Sequence, residues 1–150
     1  MDDTDHKDFE EKPIEKQSMF WVGIGASAGG LEALRALVRK LPSDLNATYI
    51  VAQHLSPHHR SMFPEIIGRE TDFEVLSVSD SVRPKPNKIY ITPQNKDIEI
   101  VGDQLKLMSP SQEAASPKPS VDRFFRSLAR EKGNAAVAIV LSGTGSDGSR

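Results

Sequence analysis

Met19-Phe20-Trp21-Val22-Gly23-Ile24-Gly25-Ala26-Ser27-Ala28-Gly29-Gly30 decides the fold of this chain. A short apolar run of strand character passes directly into a glycine-rich turn. Leu31, Leu34, Leu37, Val38 and Leu41 follow at helical spacing until Pro42 stops the pattern. Ala47-Thr48-Tyr49-Ile50-Val51-Ala52 is then a second buried strand. A helix between two strands requires them to run parallel, with a right-handed crossover.

The pattern repeats further along the chain. Ser56-Pro57 reads as an N-cap with proline at the first helical position, opening a helix to about Glu70 whose apolar face is Phe63, Ile66 and Ile67. Phe73 to Val78 and Lys88 to Thr92 read as strands. Asp97 to Val101 and Gln104 to Met108 alternate around Gly102-Asp103 as a β-hairpin. Ser109 to Pro119 is a Pro- and Ser-rich loop. Ser120 caps a helix over Val121 to Lys132, with Phe124, Phe125, Leu128 and Ala129 on its buried side and Gly133 at its end. Ala135 to Leu141 is apolar throughout, as expected of a parallel strand covered on both faces. The whole predicts an α/β fold: an open, mostly parallel, doubly wound sheet with helices on both faces and a β-hairpin. The helix expected after the last strand is absent before Arg150, so the domain over residues 19–150 is expected to be incomplete at its C-terminus.

Composition narrows the function classes. The 150 residues contain no Cys, which excludes disulfides, thiolate metal sites and a cysteine nucleophile. The formal net charge is −2, so no basic field points to nucleic acid. No apolar run is long enough to cross a bilayer. Residues 1–18 open with Asp2, Asp3 and Asp5 and lack the apolar segment of a signal peptide; they are expected to form a disordered acidic tail.

Gly25-Ala26-Ser27-Ala28-Gly29 matches the G-x-S-x-G turn that lifts a serine hydroxyl to the edge of a sheet. The N–H groups at the start of the following helix then face that hydroxyl and suit an oxyanion. The same stretch, Gly23-x-Gly25-x-x-Ala28, fits a dinucleotide fingerprint, but no acid closes the second strand to hold a ribose. Ser27 as a plain small residue in a tight turn is the third reading. The second strand runs on to Gln53 and His54, which places an imidazole at the same sheet edge as Ser27. His58 and His59 lie nearby, but Pro57 separates His54 from them and no H-E-x-x-H pattern exists, so no metal or cofactor is expected. The last strand ends in Leu141-Ser142-Gly143-Thr144-Gly145-Ser146-Asp147-Gly148, which brings the carboxylate of Asp147 to that edge. Ser142 is a rival hydroxyl. Asp122 is a rival acid, although its place in the first turn of a helix suits the helix dipole. A carboxylate on the far ring nitrogen of a histidine sets its tautomer and steadies the imidazolium, so Ser27, His54 and Asp147 make a candidate triad.

Five stretches taken together resemble the catalytic domain of the chemotaxis protein-glutamate methylesterases, the CheB family. They are Gly23 to Leu34, Val51-Ala52-Gln53-His54, Lys88 to Pro93, Pro119-Ser120-Val121-Asp122 and Leu141 to Gly148. The resemblance implies a cytoplasmic bacterial enzyme that hydrolyses glutamyl methyl esters, and deamidates certain glutamines, on chemoreceptor helices. It assigns the nucleophile to Ser27, the base to His54 and the acid to Asp147, and places backbone donors near Ala28, Gly29, Thr144 and Gly145. The residue after the serine is Ala28, where several family members carry Thr. The acidic stretch in place of a receiver domain looks like the esterase that opens fusion proteins carrying a methyltransferase and sensory domains. A partner-binding module with an idle site is the alternative from another class.

Overall fold

A computed structural model describes residues 19–27, 30–54, 63–93, 96–109 and 119–141. The main sheet has five strands in the order β3-β5-β2-β1-β8, all parallel: β1 (Phe20–Ser27), β2 (Ala47–His54), β3 (Glu74–Ser77), β5 (Lys88–Ile91) and β8 (Ala136–Leu141). A second, antiparallel sheet of three strands consists of β4 (Ser81–Val82), β7 (Gln104–Met108) and β6 (Asp97–Val101). The helices are α1 (Leu31–Arg39), α2 (Phe63–Gly68) and α3 (Pro119–Lys132). The expected open parallel sheet with helices on both faces and a hairpin is the observed architecture.

Alternation along the strands divides the core in two. Val22, Ile24, Tyr49, Val51, Ile89 and Ile91 face α1 and α2, where Leu34, Val38, Phe63 and Ile67 cover them. Trp21, Ile50, Ala52 and Tyr90 face the other way, under Phe124 and Leu128 of α3 and Ile98, Ile100 and Leu105 of the small sheet. The hairpin turns at Gly102, whose φ of +64° lies in the left-handed region that favours glycine. Arg123 fastens α3 to the small sheet. Its Nε donates to Glu99 at 2.9 Å, and its Nη1 donates to Asp97 at 3.3 Å and to the Ser109 carbonyl at 3.0 Å. The Glu99 contact leads the influences that raise the Arg123 pKa above its ordinary value. Ser127 is buried with both ends of its hydroxyl in use: it accepts from Ile100 N–H at 3.0 Å and donates to the Phe124 carbonyl at 2.8 Å.

Four expectations need correction. Ser120 lies inside α3 instead of capping it, because Pro119 already belongs to the helix, as suits a residue without an N–H in a first turn. Ala129 is exposed, and the buried stripe of α3 is Val121, Phe124, Ser127 and Leu128. α1 ends at Arg39, two residues early, where Lys40 and Leu41 N–H groups tighten onto the Leu37 and Val38 carbonyls at 3.0 and 3.4 Å. β8 is not buried on both faces: among the described residues it is the edge strand, and Val137 and Val140 are 40% and 61% exposed. The sequence reading also missed β4. The tail over residues 1–18, the Ser56-Pro57 helix start and most of the 109–119 loop lie outside the described residues.

Candidate active site

Ser27 is the last residue of β1 and is half-buried. β1 and β2 pair in unbroken register from Phe20 opposite Ala47 to Ser27 opposite His54. The two sequence-predicted residues therefore stand side by side at the carboxyl edge of adjacent parallel strands, which run about 4.8 Å apart. On the other side of β1, Ala26 pairs with Leu141, the last residue of β8. Ala28, Gly29, Thr144, Gly145 and Asp147 lie outside the described residues, as does the side chain of His54.

The end of β2 is pinned by residues not singled out from sequence for any role. Gln53 Nε2 donates to the Thr92 carbonyl at 2.9 Å, and Thr92 donates through its hydroxyl at 2.8 Å and its N–H at 3.0 Å to the Val51 carbonyl. These bonds hold the strand that carries His54 to the end of β5. The signal was present in Val51-Ala52-Gln53-His54 and Ile91-Thr92-Pro93: two polar residues breaking apolar strands at matching ends.

The glycines before Ser27 have a packing cause. A Cβ on Gly23 would lie 2.7 Å from Phe124 Cε2 and 2.8 Å from Leu128 Cδ2. One on Gly25 would lie 2.7 Å from Val121 Cγ1. α3 thus rests directly on the backbone of β1, which explains the G-x-G spacing without a bound dinucleotide. Gly30, at the start of α1, sits against the end of β8: a Cβ there would lie 3.0 Å from the Leu141 carbonyl oxygen. The helix start, the β1 end and the β8 end are thereby gathered at one point.

The sheet order adds a further positional fact. From β1 the chain passes to β2 on one side and returns later to β8 on the other. The crevice between β1 and β8 is the switch point of the sheet, where ligands bind in this architecture. A cleft of ≈ 170 Å³ opens there, lined by Gly25, Ala26, Val121, Asp122, Phe125 and Val140. Among the described residues, no group of three or more His, Cys, Asp or Glu is placed to hold a metal ion. No helix among them is long and apolar enough to cross a membrane.

A family model described as CheB methylesterase matches residues 22–150. A protein-glutamate methylesterase/protein-glutamine glutaminase of Xanthomonas campestris is 34% identical over 132 residues, covering 86% of this chain and 37% of that protein. The proteins of the same name from Bacillus subtilis and Salmonella typhimurium are 32% identical over 130 residues and 34% over 131; each match covers 85% of this chain, and 36% and 37% of the respective relative. The chain thus spans little more than a third of the length of these curated relatives. The crystal structure of the Thermotoga maritima CheB methylesterase catalytic domain superposes with a TM-score of 0.67 at 21% identity, covering 83% of this chain and 67% of that one, a likeness of fold. By the family model and by these relatives, the chain belongs to the CheB methylesterase family.

Proposed function

We propose that this chain carries the nucleophile and base of a serine esterase that hydrolyses glutamyl methyl esters on chemoreceptor helices, with glutamine deamidation at the same site. The observation that supports this most directly is the pairing of Ser27 with His54 at the carboxyl edge of the sheet. His54 takes the Ser27 hydroxyl proton as Oγ bonds to the ester carbonyl carbon, and Asp147 steadies the imidazolium. N–H groups near Ala28 and Thr144 hold the oxyanion. The C–O bond to the alkoxide then breaks, and His54 returns the proton so that methanol leaves. Water repeats the cycle on the acyl-serine, releasing glutamate and restoring Ser27. A glutamine follows the same path with ammonia as the leaving group. The enzyme, on this reading, works where chemoreceptor cytoplasmic helices are, in the cytoplasm and without a cofactor.

The test is methanol release from a methylated receptor. Ser27→Ala and His54→Ala are each expected to lower the rate by roughly 10⁴–10⁶-fold. Because Ser27 ends its strand half-buried, Ser27→Ala is expected to leave stability within about 0.5 kcal/mol. Unchanged turnover in Ser27→Ala refutes the nucleophile. Receptor binding without turnover in the unsubstituted protein supports the idle module instead.

A further inference from the structure

β2 reaches further than the strand beside it. Its ladder with β5 ends at the pair Val51 and Ile91, and the Thr92 N–H donates to the Val51 carbonyl at 3.0 Å as the last rung. Ala52, Gln53 and His54 continue beyond it, still paired on their other side with Gly25, Ala26 and Ser27 of β1. The next rung of a parallel ladder would bring a main-chain N–H of β2 to the Thr92 carbonyl. The Gln53 side chain occupies that carbonyl instead, its Nε2 donating at 2.9 Å. An amide side chain thus stands in for a rung of the sheet at the residue before His54.

By alternation with Tyr49 and Val51, Gln53 faces α1 and α2, whereas Ser27 alternates with Gly25 toward α3. Gln53 therefore lies across the sheet from the hydroxyl and does not touch what Ser27 attacks. Its Oε1 is buried and has no hydrogen-bond partner among the described residues. A buried acceptor without a donor is unfavourable, so packing alone would be served better by an apolar side chain. We propose that Gln53 is a positioning residue for the base: its bond to Thr92 fixes the end of β2 against β5, and with it the placement of His54 beside Ser27. The proposal rests on the esterase reading. Without that bond the end of β2 is held by β1 alone. Misplacing a reacting group by about 1 Å costs on the order of 100-fold in rate.

The readout is methanol release from a methylated receptor by the full chain, expressed per folded molecule. The folded fraction comes from the near-ultraviolet circular dichroism of Trp21, the single tryptophan, which is buried. Gln53→Met keeps the length of the side chain and removes the donor. Gln53→Asn keeps the amide and removes its reach. Each is expected to lower kcat about 10- to 100-fold while KM stays within about twofold, since Gln53 does not touch substrate. Thr92→Val keeps both the carbonyl that Gln53 uses and the N–H bond to Val51, and is expected to hold kcat within about twofold. A glutamine with only a structural role would lower the folded fraction and leave kcat per folded molecule as it was; that result overturns the proposal. So does failure of both Gln53 variants to fold, a rise in KM at constant kcat, or an equal loss of kcat in Thr92→Val. Ser27-dependent release that both Gln53 variants match removes the positioning role and spares the esterase. No Ser27-dependent release from the unsubstituted chain removes both.

Discussion

β1 and β8 lie side by side in parallel register, and both read as apolar runs, yet they live in different surroundings. Gly23 pairs with Ala138 and Gly25 with Val140. At the two β1 positions α3 leaves no space for a Cβ, while one strand over Val140 is 61% exposed. β1 is covered by α1 on one face and α3 on the other, whereas β8 is the edge strand among the described residues and is only partly covered. Apolar composition marks a strand as suited to burial. Its place in the order determines how much burial it receives.

Three measurements break or sharpen this contrast. Ile24 of β1 is fully buried, and Ile24→Ala is expected to lower unfolding free energy by about 2–5 kcal/mol in a urea titration. Val140→Ala on β8 is expected to lower it by under about 1 kcal/mol; equal losses would erase the distinction. Next in size is the glycine pair. Gly25→Ala is expected to cost about 1–3 kcal/mol by overpacking against Val121, and Val121→Ala in the same chain should recover part of that loss, a non-additivity of contacting residues. Additive losses would mean that the Val121 contact is not the cause.

The smallest expected effect concerns the helix that covers β1 on its other face. Glu70 accepts from Arg39 Nε at 2.6 Å and Arg35 Nε at 2.9 Å, joining α1 to the chain just after α2. The bonds from Arg39 first, then Arg35, hold the Glu70 carboxyl below its ordinary value near 4.5. A group with a lowered folded pKa contributes stability above its unfolded value and loses it as pH falls through the folded one. Stability should therefore decline as pH drops below about 4.5, and Glu70→Gln should show a shallower decline. Identical acid profiles for both proteins would show that the clamp contributes nothing measurable to holding α1 over β1.

Most of the fold was legible because it rests on local periodicity. The hairpin around Gly102-Asp103, the strands of the parallel sheet and the buried pair Phe124 and Leu128 all follow patterns of two or of three to four residues. What was not legible depends on contacts between distant segments. Ala135 to Leu141 reads the same in the middle of a sheet or at its edge. Ser127 is buried because Ile100, on another element, supplies an N–H to it. Gly23 and Gly25 suggested a tight turn and a close ligand, while their cause is a helix that arrives about a hundred residues later in the chain. The Ser27–His54 pairing was readable because parallel neighbours deliver their ends to one edge. Gln53 and Thr92, which secure that edge, were quoted as motif residues without a role.

The ladder between β1 and β2 runs through eight consecutive pairs, and this restricts how the coding segment can change in length. Losing one codon within Ala47–His54 would shift the histidine's strand position by about 3.3 Å and break the alternation that sets its register opposite Ser27. A codon gained among residues 40–46, in the connector, carries only a small entropic penalty, since even doubling a loop costs about 0.6 kcal/mol. Insertions and deletions are thus tolerable between the elements and ruinous within them. If Ser27 is the nucleophile as proposed, the count of residues from Phe20 to Ser27 matters to the chemistry as much as the hydroxyl at its end.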